Sequence, residues 1–149
     1  MNARQFAVLA ALASLTAFAT SAGAVEPGPE QDWILHCQGC HGADGRGASH
    51  RVPSLRDSVA PLMQLEEGRD FLMRVPGAAN SSLSDEALAG VLNWLVGEFG
   101  DGGVPADVHR FTREEVAVAR RHPMMGVRRC RNEVAARLVA AGLARPEDY

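Results

Sequence analysis

Cys37-Gln38-Gly39-Cys40-His41 places two thiols and an imidazole within five residues. The spacing C-x-x-C-H reads as a c-type haem attachment site. Two thiols three positions apart on one turn can reach the two vinyl groups on one edge of a porphyrin and form thioethers. The next residue then sets an imidazole beneath the iron as proximal axial ligand. Three other chemistries use the same residue types. A thioredoxin-like redox pair needs a βαβ context, and no strand pattern flanks this one. A zinc site on His36, Cys37, Cys40 and His41 would crowd four ligands into six residues with no second cluster. A Cys37–Cys40 disulfide would close a very small, strained loop. Haem attachment is the preferred reading.

The surrounding elements must hold that turn. Gln31–Cys37 has room for one or two helical turns ending at the thiols, with Trp33 and Ile34 as inward candidates. Gly42–Ser49 holds three glycines and reads as a loop. Val52-Pro53-Ser54-Leu55 reads as extended, because proline restricts the residue before it. Pro61–Glu67 and Gly68–Arg74 are short helical candidates, and Val75-Pro76-Gly77 breaks the chain. Ser84 is a good N-cap, followed by acidic Asp85 and Glu86 at the positive end of a helix. Leu88, Val91, Leu92, Leu95, Val96 and Phe99 then fall on one apolar stripe. Gly100-Asp101-Gly102-Gly103 predicts a linker. Beyond it, Thr112-Arg113-Glu114-Glu115 is a capping-box pattern opening a short helix that stops at His122-Pro123. Val127–Gly142 is a further helical candidate with Val127, Val134, Leu138 and Ala141 on one face. No repeat and no strand-like alternation interrupts this pattern, so the predicted fold is all-α.

The 149 residues suffice for one full-sized core. Fifteen arginines, no lysine and a net charge of −3 give no electrostatic footprint for nucleic acid. Residues 1–24 predict a cleavable signal peptide: an early basic residue, the apolar run Phe6–Ala19 and the small-residue pattern Ala22-Gly23-Ala24. No cysteine follows the cleavage point to carry a lipid anchor, and no other apolar run is long enough to span a bilayer. The expected destination is the periplasm. Two segments follow, 25–100 as a haem domain and 101–149 as a helical C-terminal extension. The first carries five arginines against eleven acids and the second nine against seven, so charge changes sign at the linker. Nothing resembles a hydrolytic dyad or a phosphate-binding glycine loop.

From about Asp32 to Phe99 the chain resembles the class I cytochromes c. Cys37 to Gly47 is similar to the family's haem segment and glycine loop, and Leu83-Ser84-Asp85-Glu86 opens a helix carrying Trp94 like its C-terminal helix. The resemblance implies one covalent haem c on Cys37 and Cys40, with His41 as proximal ligand. It also implies a Pro53 carbonyl that accepts the His41 Nδ1–H and fixes the tautomer. The family commonly supplies its distal ligand from a Met-Pro pair before the last helix, and here that place holds Val75-Pro76. Met73, two residues earlier, is the preferred distal ligand. Met63, Met124, Met125, His50, His109 and His122 are weaker candidates, and His36 is too close to Cys37 to return to the iron. Arg46, Arg51 and Arg56 are candidates for the haem propionates.

The implied role is one-electron carriage between transient protein partners, such as a periplasmic dehydrogenase or oxidase, without enzymatic turnover. The alternative is a five-coordinate haem with Val75 beside an open site for NO, CO or peroxide and weak peroxidatic activity. The extension could also dock the domain on a larger complex. Its cluster Arg120-Arg121 with Arg128-Arg129-Cys130-Arg131 reads as a solvated helix face, with docking on an acidic partner or on the acidic haem domain itself as the alternative, and Cys130 reads as an ordinary tail residue.

Overall fold

The computed structural model describes residues 27–49, 51–56, 58–100 and 102–143. The expected signal peptide and His50 lie outside the described residues. The described elements are helical, with a single antiparallel bridge between Ala48 and Val52. The all-α expectation holds. In chain order the helices are α1 Pro29–His36, α2 Gln38–His41, α3 Val59–Leu62, α4 Glu66–Arg74, α5 Pro76–Ala79, α6 Asp85–Phe99, α7 Arg113–Ala119 and α8 Val127–Ala140.

The central helix is α6. Its Ser84 cap accepts a hydrogen bond from the Ala87 N–H at 3.1 Å. Its stripe of Leu88, Val91, Leu92, Leu95 and Phe99 is buried, with Val96 half-buried at the edge. On one side α6 packs against α1, where Trp33 lies 5.7 Å from Trp94 and 5.4 Å from Phe99 between ring centroids. Each such aromatic pair adds ~0.5–1.5 kcal/mol beyond its area burial. Only one of the two expected inward residues on α1 is inside. Trp33 is 2% exposed and Ile34 is 49% exposed. Consecutive helix positions point about 100° apart, and a helix this short has one face on its neighbour.

The segment before α6 also differs from expectation. The first helix starts at Val59, two residues before Pro61, because a proline in the first turn costs no intrahelical hydrogen bond. The second starts at Glu66 and runs through Gly68 without a break. Gly68 is where the two helices touch. A Cβ there would stand 2.0 Å from the Leu62 carbonyl oxygen, so only glycine permits this approach.

The extension is built into the same core. Thr112 forms the expected capping box, its hydroxyl accepting from the Glu115 N–H while the Glu115 carboxylate accepts from the Thr112 N–H. The α7 helix packs on α6, and α8 packs across α3 and α4. Phe111, Val116, Ala119, Met124, Val134 and Leu138 join one continuous apolar cluster with Trp33, Leu62 and Leu92. On α8 the buried face is Arg131, Val134, Ala135 and Leu138. Ala141, expected on that face, lies past the helix end and is exposed.

Candidate haem site

α1 ends at Cys37, whose N–H donates to the Trp33 carbonyl at 2.9 Å. α2 then starts at once, with the N–H groups of Cys40 and His41 both donating to the Cys37 carbonyl at 3.1 Å. This single turn brings Cys37, Cys40 and His41 together at i, i+3 and i+4, the spacing that shares one helix face. Cys37 is half-buried, Cys40 is exposed, and both thiols are free. The His41 ring lies 6.0 Å from Trp33, so the imidazole rests on the aromatic cluster at the α1–α6 crossing.

The loop after α2 folds back beneath the turn. Gly47 donates its N–H to the His41 carbonyl at 2.7 Å, and Leu55 donates to Gly45 at 2.7 Å. The Ala48–Val52 bridge brings Pro53 around toward the imidazole. Gly47 sits at φ +69°, and a Cβ there would meet the Val52 carbonyl at 2.3 Å and that of Pro53 at 2.6 Å. No other residue type fits this fold-back without moving backbone.

The electrostatics separate the imidazole from the thiols. Burial pushes the His41 pKa down, and the Pro53 backbone partly restores it, so the ring stays neutral with a lone pair to offer. Its Nδ1 is buried without a partner at full hydrogen-bond geometry. The Pro53 carbonyl therefore lies near the ring without a formed hydrogen bond to it. Burial, with Asp32 and Cys40 adding negative charge, pushes the Cys37 thiol up to about 11, so it rests protonated. Two unpaired thiols and a neutral, incompletely satisfied imidazole on one turn suit a haem attached at its edge and ligated from below. The competing chemistries lack their geometry. Among the described residues no three His, Cys, Asp or Glu side chains gather in a metal-holding group, and no strand flanks the cysteines.

The other expected residues are more scattered. Met73 is buried in the last turn of α4, in the same apolar cluster that takes in Trp33 and the edge of Cys37. Val75 is half-buried and caps α5. Met63 is buried on the core and Met125 is 82% exposed. Met124 is buried beside α4, its N–H donating to the Arg74 carbonyl at 2.9 Å. His36, His109 and His122 are exposed. Arg46 pairs with Asp44 at 3.1 Å, and Arg56 donates to the Asp44 carbonyl at 2.6 Å with its guanidinium 5.6 Å from the Phe99 ring centroid. Arg51 is exposed.

Sequence reasoning preferred a solvated face for Arg120 and Arg131 and did not single out Arg69, yet all three bind the extension down. Arg131 is 6% exposed and donates to the Ser58 hydroxyl at 3.2 Å. Arg69 is 4% exposed, donates to the His109 carbonyl and to Glu115, and lies 4.4 Å from the Phe111 ring centroid. Arg120 reaches the segment before α6. One signal was available: Arg131 stands between Val127 and Val134 on their own helical stripe, where a solvated charge is out of place.

No family model matches the chain, and no solved structure matches it. The chain is 32% identical over 98 residues to a cytochrome c-552 of Thermus thermophilus, an alignment spanning 54% of this chain and 75% of that protein. A second cytochrome c-552, from a named strain of the same organism, is likewise 32% identical over 98 residues, spanning 54% of this chain and 66% of that protein. Taken with the helical fold and the cysteine–histidine turn, this similarity means that the chain belongs to the class I c-type cytochromes.

Proposed function

We propose that this protein is an exported one-electron carrier with a single haem c. The observation that carries the reading is the α2 turn, where two free thiols and a neutral imidazole share one face in a chain of this family. Cys37 and Cys40 would each add S–H across a vinyl group, with sulfur bonding one carbon and the proton going to the other. His41 would ligate the iron, and the Pro53 carbonyl would orient its ring. The chemistry the haem supplies when bound is a one-electron ferric–ferrous couple. Trp33, Phe99 and the folded-back loop keep water from the imidazole and hold its angle. Exposed Cys40 marks the edge through which transient redox partners would reach the cofactor, with a periplasmic dehydrogenase or oxidase as the class of partner. The segment 1–24 supports export to the periplasm, and no described helix is long and apolar enough to cross a membrane.

Met73 is the proposed distal ligand, being a buried thioether two residues before Val75-Pro76. A second reading rests on Val75 itself, which occupies the usual methionine place. It is a five-coordinate haem that takes NO, CO or peroxide. Absorption spectra of periplasmically matured protein decide between them. One haem per chain, a low-spin ferrous spectrum unmoved by CO, and a weak far-red ferric band lost in Met73→Ala are the expected results. A high-spin ferrous spectrum that shifts at once with CO would install the second reading. Absence of covalent haem would end both.

A further inference from the structure

Arg120 lies just past the C-terminus of α7 and points into the segment that joins α5 to α6. Its Nε donates to the Ala79 carbonyl at 3.1 Å, and one terminal nitrogen donates to the Ser81 carbonyl at 2.6 Å. The other donates to the Leu83 carbonyl at 2.8 Å and to the Asp85 carboxylate at 3.1 Å. One side chain, 35 to 41 positions away in sequence, therefore satisfies three backbone carbonyls and a carboxylate within seven residues. Two further bonds fix the other end of the segment. The Met124 N–H donates to the Arg74 carbonyl, and Arg74 Nε donates to the His122 carbonyl, both at 2.9 Å. Residues 120–124 thus grip residues 74–85 at both ends.

The segment needs such a grip. It contains only the four-residue α5, and the Ala79, Ser81 and Leu83 carbonyls have no helix to pair them. In a class I cytochrome with a Met-Pro pair, the bond from methionine to iron would tether this stretch. Here no Met, His or Cys stands between Val75 and Asp85, so that stretch offers no residue of the usual haem-ligand types to tether it. A planar guanidinium, with five donors in a fixed fork, is suited to hold several carbonyls at once, and an ammonium is less so.

We propose that Arg120 is a positioning residue that fixes the 75–85 segment in place of an iron–methionine tether, and so sets how readily a small ligand reaches the haem. This rests on the haem reading above, with Val75-Pro76 on the distal side. The extension is on this account a strap that closes the distal side of the site.

The test uses the full-length holoprotein and three variants, Arg120→Ala, Arg120→Lys and Asn93→Ala. Asn93 anchors the extension elsewhere, through paired 2.8 Å bonds to the Phe111 N–H and carbonyl. Two readouts are taken: amide hydrogen exchange over 75–85, and the rate at which cyanide binds the ferric protein, a ligand that fills an open site or displaces a weak distal thioether. Arg120→Ala should raise exchange at the Ala79, Asn80 and Ser81 amides about tenfold, as expected when charge-assisted bonds stop restraining a local opening. Cyanide binding should accelerate with it. Arg120→Lys should lie between, and decides the matter alone if the alanine variant is not recovered. Asn93→Ala should melt earlier while both readouts stay at wild-type values. Unchanged exchange in Arg120→Ala, or an equal rise in Asn93→Ala, would overturn the clamp. Faster exchange with an unchanged cyanide rate would leave the clamp standing and overturn its link to the iron. A chain without haem would show in the missing ferrous bands and would likewise end that link, with the exchange data still reporting the clamp.

Discussion

The cysteine–histidine turn and the C-terminal strap satisfy their polar groups in opposite ways. At α2 the thiols are free and the His41 Nδ1 lacks a well-formed partner. In the strap Arg120 is saturated by four acceptors, and Arg69 of α4, against which the strap packs, by the His109 carbonyl, the Glu115 carboxylate and the Phe111 ring. The first region is arranged for a group brought from outside the chain. The second is complete in itself. A protein with few aromatic residues can still build a firm core if arginines join its outer elements to backbone carbonyls that water would otherwise have to satisfy.

The comparison breaks most visibly at His41. His41→Ala should abolish the low-spin spectrum and reduce recovered holoprotein to background, measured by the ferrous haem bands of periplasmic extracts. A normal yield of low-spin protein would show that the turn does not ligate the iron through this residue. Next in size is Trp33, a core residue of α1 whose ring lies against that of His41. Trp33→Ala should cost roughly 3–5 kcal/mol in denaturant unfolding of the holoprotein, the usual range for emptying a buried aromatic site. A loss below ~1 kcal/mol would mean that the haem and not the α1–α6 crossing supplies that part of the core.

The smallest effect sharpens the strap side. Burial would raise the Glu115 pKa, but hydrogen bonds from Thr112 and Arg69 hold it below the ordinary carboxylate value. A carboxylate depressed in the folded state contributes stability above its unfolded pKa and loses it as pH falls through the folded one. Glu115→Gln should therefore be less stable than wild type at neutral pH by no more than ~1 kcal/mol, the scale of a partly exposed pair. The two should converge in acid, which chemical denaturation at neutral and acid pH checks.

What could be read from sequence was local. The C-x-x-C-H turn, the Ser84 cap and the Thr112 capping box each lie within five residues, where spacing dictates geometry. The α3–α4 boundary was misplaced because Gly68 reads as a breaker until the Leu62 carbonyl is seen pressed against it. Arg120 and Asn93 were illegible for a plainer reason. Their partners stand 41 and 18 residues away, and a charged or amide side chain carries no periodic mark of such a contact. Ile34 was placed inside because an apolar residue on a short helix has no pattern long enough to fix its phase.

The spacing of the strap's contacts also bears on the order of folding. Bonds such as Arg137 to Glu67, 70 positions apart, close large loops whose entropy must be overcome before they return any stability. Contacts of such span tend to form late and slowly. The α2 turn needs only its own neighbours and can be shaped early. On the proposed reading, the thiols and imidazole would be presented for haem attachment while the distal side still lay open, and the strap would seal that side afterwards.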